Sequence, residues 1–125
     1  MNLNQVTVYT NKVAESVGFY QKLGLRLIVD SIPCYARFTC PDGDSTFSLH
    51  ETNEAAAESN IVLYFECVNL DEEVERLKGI GIIFEQDPTD QTWLWREAYL
   101  KDPAGNTICL FYAGENRVTP PWRIS

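Results

Sequence analysis

The chain has 125 residues, enough for one domain with its own core, and its 45% hydrophobic and 22% charged residues exclude a disordered polymer. A formal net charge of −8 argues against nucleic acid or an anionic membrane as a partner and mildly favours a cationic or neutral ligand. No apolar run reaches the ~18 residues of a spanning helix, and Met1 to Gln5 lacks the basic and apolar regions of a signal peptide. A cytoplasmic location is therefore expected. Cys34, Cys40, Cys67 and Cys109 have no C-x-x-C spacing and read as reduced, small buried residues.

Leu3 to Tyr9 alternates, with Val6 and Val8 opposite Gln5, Thr7 and Tyr9, and reads as a strand with one partly polar face. Asn11 is placed to cap a helix whose apolar stripe is Val13, Val17, Tyr20 and Leu23, and Gly24 closes it. Strands are expected at Leu25 to Asp30, Tyr35 to Cys40 and Ser45 to Glu51, the last with Ser48 and His50 on one face. Residues 53–60 are small and polar and read as a linker. Ile61 to Cys67 is nearly all apolar, the pattern of a central strand buried on both faces. Asn69 with Glu72 resembles a capping box for a second helix, which Gly81 ends. Ile82 to Glu85 is expected as a short strand, Gln86 to Gln91 as a loop around Pro88, and Thr92 to Leu100 as a strand carrying Trp93, Trp95 and Tyr99. Asp102-Pro103-Ala104-Gly105-Asn106 is turn chemistry, and Thr107 to Tyr112 alternates as a strand. The tail, 114–125, holds Pro120-Pro121 but also Val118 and Trp122, and is expected to wrap over its own or a partner subunit.

The second half repeats the first. Leu70, Val74, Leu77, Ile80 and Gly81 stand 57 residues after Val13, Val17, Tyr20, Leu23 and Gly24. Each half reads as strand, helix, glycine stop and three strands. This predicts an α+β fold of two βαβββ modules, 1–52 and 61–113, within one domain spanning 1–125. The ordered set of Ser16-Val17-Gly18-Phe19-Tyr20 with Leu23-Gly24-Leu25, Leu70-Asp71 leading to Leu77-Lys78-Gly79-Ile80-Gly81, and Asp102 to Leu110 resembles the vicinal oxygen chelate superfamily. That group contains glyoxalases, bleomycin resistance proteins and dioxygenases. The resemblance covers nearly the whole chain and implies a cupped mixed sheet in each half around a cavity.

The resemblance also implies where a divalent metal would be held in catalytic members: on the first and last strands of each half, by His, Gln or Glu. Those positions fall here on Gln5, Ser48, Val62 and Cys109, an amide, a hydroxyl, a valine and a thiol. No usual metal and no cofactor is expected from that set. Strand parity gives the ligand-binding candidates Gln5, Thr7, Ser48, His50, Tyr64, Trp95, Cys109 and Phe111. The inward or outward facing of the pairs Trp93/Trp95 and Tyr35/Arg37 stays open. His50, the one histidine, is the candidate acid–base group. The first reading is a metal-free protein of the bleomycin-resistance kind, a homodimer binding a small organic ligand of cationic or aromatic character. The alternative is a glyoxalase-like lyase, isomerase or dioxygenase, using His50 alone or a metal at Gln5, His50 and Glu66. A third reading is a dimeric domain without ligand.

Overall fold

The computed structural model describes residues 1–54 and 61–124. Most of the expected linker lies outside the described residues. Two compact units emerge: Met1–Glu58 with Asp102–Gly105, and Ser59–Lys101 with Asn106–Ser125. In the first unit the elements are β1 (Gln5–Thr10), α1 (Val13–Lys22), β2 (Arg26–Ser31), β3 (Tyr35–Thr39) and β4 (Thr46–Glu51). In the second they are β5 (Val62–Glu66), α2 (Leu70–Gly79), β6 (Phe84–Asp90), β7 (Arg96–Lys101) and β8 (Thr107–Tyr112), followed by a 3-10 turn at Gly114–Asn116. The sheets have the orders β1-β4-β3-β2 and β5-β8-β7-β6. In each, the first strand pairs in parallel with the last and the other pairings are antiparallel. This is the α+β architecture expected from the repeat.

Each helix covers one face of its own sheet. Val13, Val17 and Tyr20 recur at helical spacing and are buried, as are Leu70, Val74 and Leu77. Tyr20 sits against Phe47 at 4.6 Å between ring centroids, with Phe38 at 6.2 Å. Both helices end alike. Gly24 and Gly81 take φ of +103° and +94°, and the amides of Leu25 and Ile82 reach back to the carbonyls of Tyr20 and Leu77.

The Asp102–Gly105 turn belongs to the first unit, and a side-chain bond joins it to α1. Asp102 is buried; its Oδ1 accepts from the Ala104 amide at 3.0 Å, and its Oδ2 accepts from the Tyr20 hydroxyl at 2.7 Å. Burial, then the adjacent Asp102 carboxylate, pushes the Tyr20 phenol far above its ordinary range.

Four expectations are corrected. Neither Asn11 nor Asn69 caps a helix: α1 begins after Lys12, whose amide is met by Thr10 Oγ1 at 3.0 Å, and Asn69 makes no side-chain capping bond to α2. β5 is an edge strand of its four-stranded sheet, with Leu63 buried and Val62, Tyr64 and Glu66 exposed, so its apolar run does not mark burial on both faces. Pro88 lies within β6 rather than in a loop. β6 is also an edge strand, and its pairing to β7 skips between Gln86 and Thr89, so the missing proline N–H breaks no ladder bond. Finally, 92–95 is a turn, not strand: Leu94 has φ +68°, and Gln91 receives the Leu94 amide and donates to the Trp95 carbonyl. This longer β6–β7 connection stretches the repeat, so β8 opens 61 residues after β4 although β5 opens 57 after β1.

Candidate functional site

In each unit the face opposite the helix carries the candidate residues, and strand register orders them in rows within that unit's own sheet. In the first unit Thr7 and Arg37 flank Ser48, and Tyr9 and Tyr35 flank His50. In the second, Tyr64 and Tyr99 flank Cys109, and Glu66 and Glu97 flank Phe111.

The first-unit face is a chain of polar groups. Gln5 Nε2 donates to Ser48 Oγ at 2.9 Å and to Thr7 Oγ1 at 3.1 Å, while Gln5 Oε1 accepts from the Thr46 hydroxyl. Ser48 is fully buried, and its Oγ lies 2.7 Å from the Tyr35 hydroxyl, which also accepts from Arg37 Nε at 2.9 Å. These bonds resolve the facing of Tyr35 and Arg37: both lie on the Ser48 face. The Ser48 hydrogen bond foremost, and the Arg37 guanidinium after it, lower the Tyr35 phenol below its ordinary range. His50 is exposed beside the rings of Tyr9 (5.1 Å) and Tyr35 (6.2 Å). Its Nδ1 lies 3.0 Å from the Glu51 carbonyl.

The second-unit face is aromatic. Trp95 stacks on Phe111 with centroids 4.8 Å apart and planes 19° from parallel, and Tyr64 meets both rings edge-on at 6.0 and 5.5 Å. Trp95 Nε1 donates to the Asn116 carbonyl at 3.3 Å, which holds the start of the tail against this face. Beside the stack, the buried Glu97 accepts from Trp93 Nε1 and from the Tyr99 hydroxyl, both at 3.3 Å. Trp93 and Trp95 therefore both belong to this face. Cys109 lies fully buried, and burial first, then the Glu97 carboxylate, pushes its thiol up to about 12.

Glu66, considered above as a metal ligand, stands at the end of β5. Its Oε2 accepts from the Ala113 and Gly114 amides at 2.9 and 3.0 Å, and Arg117 approaches Oε1 at 3.9 Å. It clamps the chain leaving β8. Among the described residues, no group of three or more His, Cys, Asp or Glu is placed to share a metal ion. Glu97 was not singled out in the sequence, where a charge between Arg96 and Ala98 reads as solvent-facing. Its shared parity with Trp95 and Tyr99 was the available signal.

A family model described as the Glyoxalase/Bleomycin resistance protein/Dioxygenase superfamily matches residues 2–110. The chain belongs to this family. No curated protein matches the chain. Among solved structures of the superfamily fold, a glyoxalase/bleomycin resistance protein/dioxygenase from Nocardioides is similar at 23% identity, covering 100% of this chain and 90% of that one with a TM-score of 0.79. Lactoylglutathione lyase from Agrobacterium tumefaciens is similar at 18% identity, with coverage of 94% and 96% and a TM-score of 0.76. TioX from Micromonospora sp. ML1 is similar at 16% identity, with coverage of 90% and 99% and a TM-score of 0.71. At these identities the likeness concerns the fold. No helix of the described residues is long and apolar enough to cross a membrane.

Proposed function

We propose that this superfamily member binds a small organic molecule with an aromatic part, in the manner of the bleomycin resistance proteins and without a divalent ion. The observation that carries this reading is the second-unit face, where Trp95, Phe111 and Tyr64 form a ring cluster beside the Glu97 carboxylate. Aromatic faces attract flat ligands and cations, and a nearby buried carboxylate adds to the attraction for a cation. The donor set at the family's metal positions supports the metal-free part. The Gln5 oxygen is taken by Thr46, Ser48 is a buried hydroxyl, Val62 has no donor atom, and the Cys109 thiol stays protonated at neutral pH.

Calorimetry with benzylamine and benzamide, together with titration of nickel, zinc, manganese and iron, tests the reading. Benzylamine binding weakened by about tenfold in Trp95→Ala, with metals at background, is the expected result. Stoichiometric metal binding abolished by Gln5→Ala or His50→Ala would sink it and favour glyoxalase-like chemistry. The protein is further proposed to be a cytoplasmic homodimer whose tail lies in the interface. Val118, Trp122 and Ile124 are all exposed apolar side chains in a segment already anchored through Asn116. Sedimentation of the full chain against a chain ending at Arg117 checks this.

A further inference from the structure

The acidic balance of the chain points towards cationic ligands, yet the first-unit face has the opposite local character. Arg37 is exposed on this face, and its cross-strand neighbours are Ser48 on β4 and Val29 on β2. Tyr35 pairs across with His50 and Ser31. The nearby carboxylates belong elsewhere: Asp30 pairs with Ala36 on the helix-covered face and accepts from the Ile32 amide at 3.2 Å, and Glu51 follows His50 on the opposite parity. Among the described residues Arg37 joins no ion pair, whereas Arg96 binds Asp71 and Asp90 at 2.9 to 3.1 Å. A guanidinium held by a phenol rather than a carboxylate, in a chain of net charge −8, calls for an explanation.

The hydrogen bonds around it supply one. Gln5 and Arg37 both donate into the Ser48–Tyr35 pair, from opposite ends. With Gln5 on one lone pair, Ser48 can pass its hydrogen to the Tyr35 oxygen. The Tyr35 hydrogen then goes to none of these partners. Arg37 spends Nε on Tyr35 and lies with its guanidinium carbon 5.5 Å from the centre of the Tyr35 ring, so the paired Nη groups are the donors it can present to a ligand. A phenol O–H beside a fork of guanidinium N–H groups, both steadied by buried Ser48, matches the two oxygens of a planar anion.

We propose that Tyr35 and Arg37 form a seat for the carboxylate group of a small molecule, with Ser48 and Gln5 as positioning residues. The inference goes beyond the small-molecule reading above, because it stands on the first-unit face alone. Lys78 and the other basic residues of the helices take no part.

Calorimetry with benzoate, benzamide and benzylamine on the full chain tests the proposal. Benzoate is expected to bind about tenfold more tightly than benzamide, the size of one charge-assisted contact. Arg37→Gln should remove that preference and Arg37→Lys should restore part of it. Tyr35→Phe should cut benzoate affinity about threefold, and Ser48→Ala should lower the preference for benzoate while benzamide affinity stays unchanged, which general loosening would not do. Unchanged melting temperatures certify the Arg37 and Tyr35 variants as folded. Equal affinity for benzoate and benzamide, or a preference that survives Arg37→Gln, overturns the carboxylate seat. If benzylamine alone binds, the small-molecule reading stands and the seat falls. If none of the three binds, both fall.

Discussion

The two halves of this chain share a backbone plan but not a chemistry. Register for register, Ser48 answers to Cys109, His50 to Phe111 and Thr7 to Tyr64. The first face is a run of hydroxyl, amide and guanidinium groups linked by hydrogen bonds. The second is a ring cluster with buried carboxylate and thiol. The faces under the helices stayed alike because both must bury the same apolar stripe. The opposite faces differ in burial: the second packs Cys109, Phe111, Trp95 and Tyr99 into a small core of its own, whereas the first leaves Arg37 and His50 exposed.

The sharpest way to break the comparison is to cut both halves at one register row. Phe111→Ala removes a buried ring stacked on Trp95 and should cost about 3–5 kcal/mol in urea unfolding. His50→Ala, at the matching position but exposed, should stay within about 0.5 kcal/mol. Comparable losses at both sites would mean that the rows are not distinct in burial.

A second contrast lies under the helices, where Tyr20 matches Leu77. Asp102→Ala leaves the buried Tyr20 hydroxyl without its acceptor and should destabilise by about 2–3 kcal/mol, and Tyr20→Phe by about 2 kcal/mol. The two changes should be strongly non-additive in a double-mutant cycle, because both remove the same bond.

Alkaline pH probes the buried thiol and phenols next. The folded Cys109 thiol has its pKa raised from 9.0 to about 12, so the folded state holds a proton that the unfolded chain releases earlier. Its contribution is therefore complete below pH 9.0 and is lost as pH rises towards about 12. Tyr20 and Tyr99, both raised by burial first, act in the same direction above their ordinary range. Melting temperature should fall across that window, and Cys109→Ser should flatten part of the fall. Alkylation at mildly alkaline pH should label exposed Cys34 well before buried Cys109.

The smallest effect concerns Tyr35, whose shift runs the other way. In a near-ultraviolet titration it should ionise ahead of Tyr20 and Tyr99, with Ser48→Ala moving that early phase upward and Tyr35→Phe deleting it. Persistence of the early phase in Tyr35→Phe would assign it to another phenol.

The helices, the glycine stops and the strand β8 were legible because they obey local rules: a 3.6-residue stripe, a positive φ and strict alternation. Within β4, the same alternation grouped Ser48 with His50 and set Phe47 and Leu49 apart. Edge position was not legible. Ile61 to Cys67 and the stretch around Pro88 were misjudged, since apolar content and a proline describe a strand's residues and not how many neighbours it has. Glu97 was passed over because its partners combine Tyr99 on its own strand with Trp93, which arrives from a turn that Leu94 creates.

By itself the sequence determined the duplicated α+β plan, because periodicity and turn chemistry act over neighbouring residues. Tertiary structure alone decided which strands are neighbours, that Asp102 belongs with Tyr20 82 residues away, and that Arg37 joins no ion pair among the described residues. Those are facts of strand register and long-range pairing, and an uncharged alternation of residues carries no record of them.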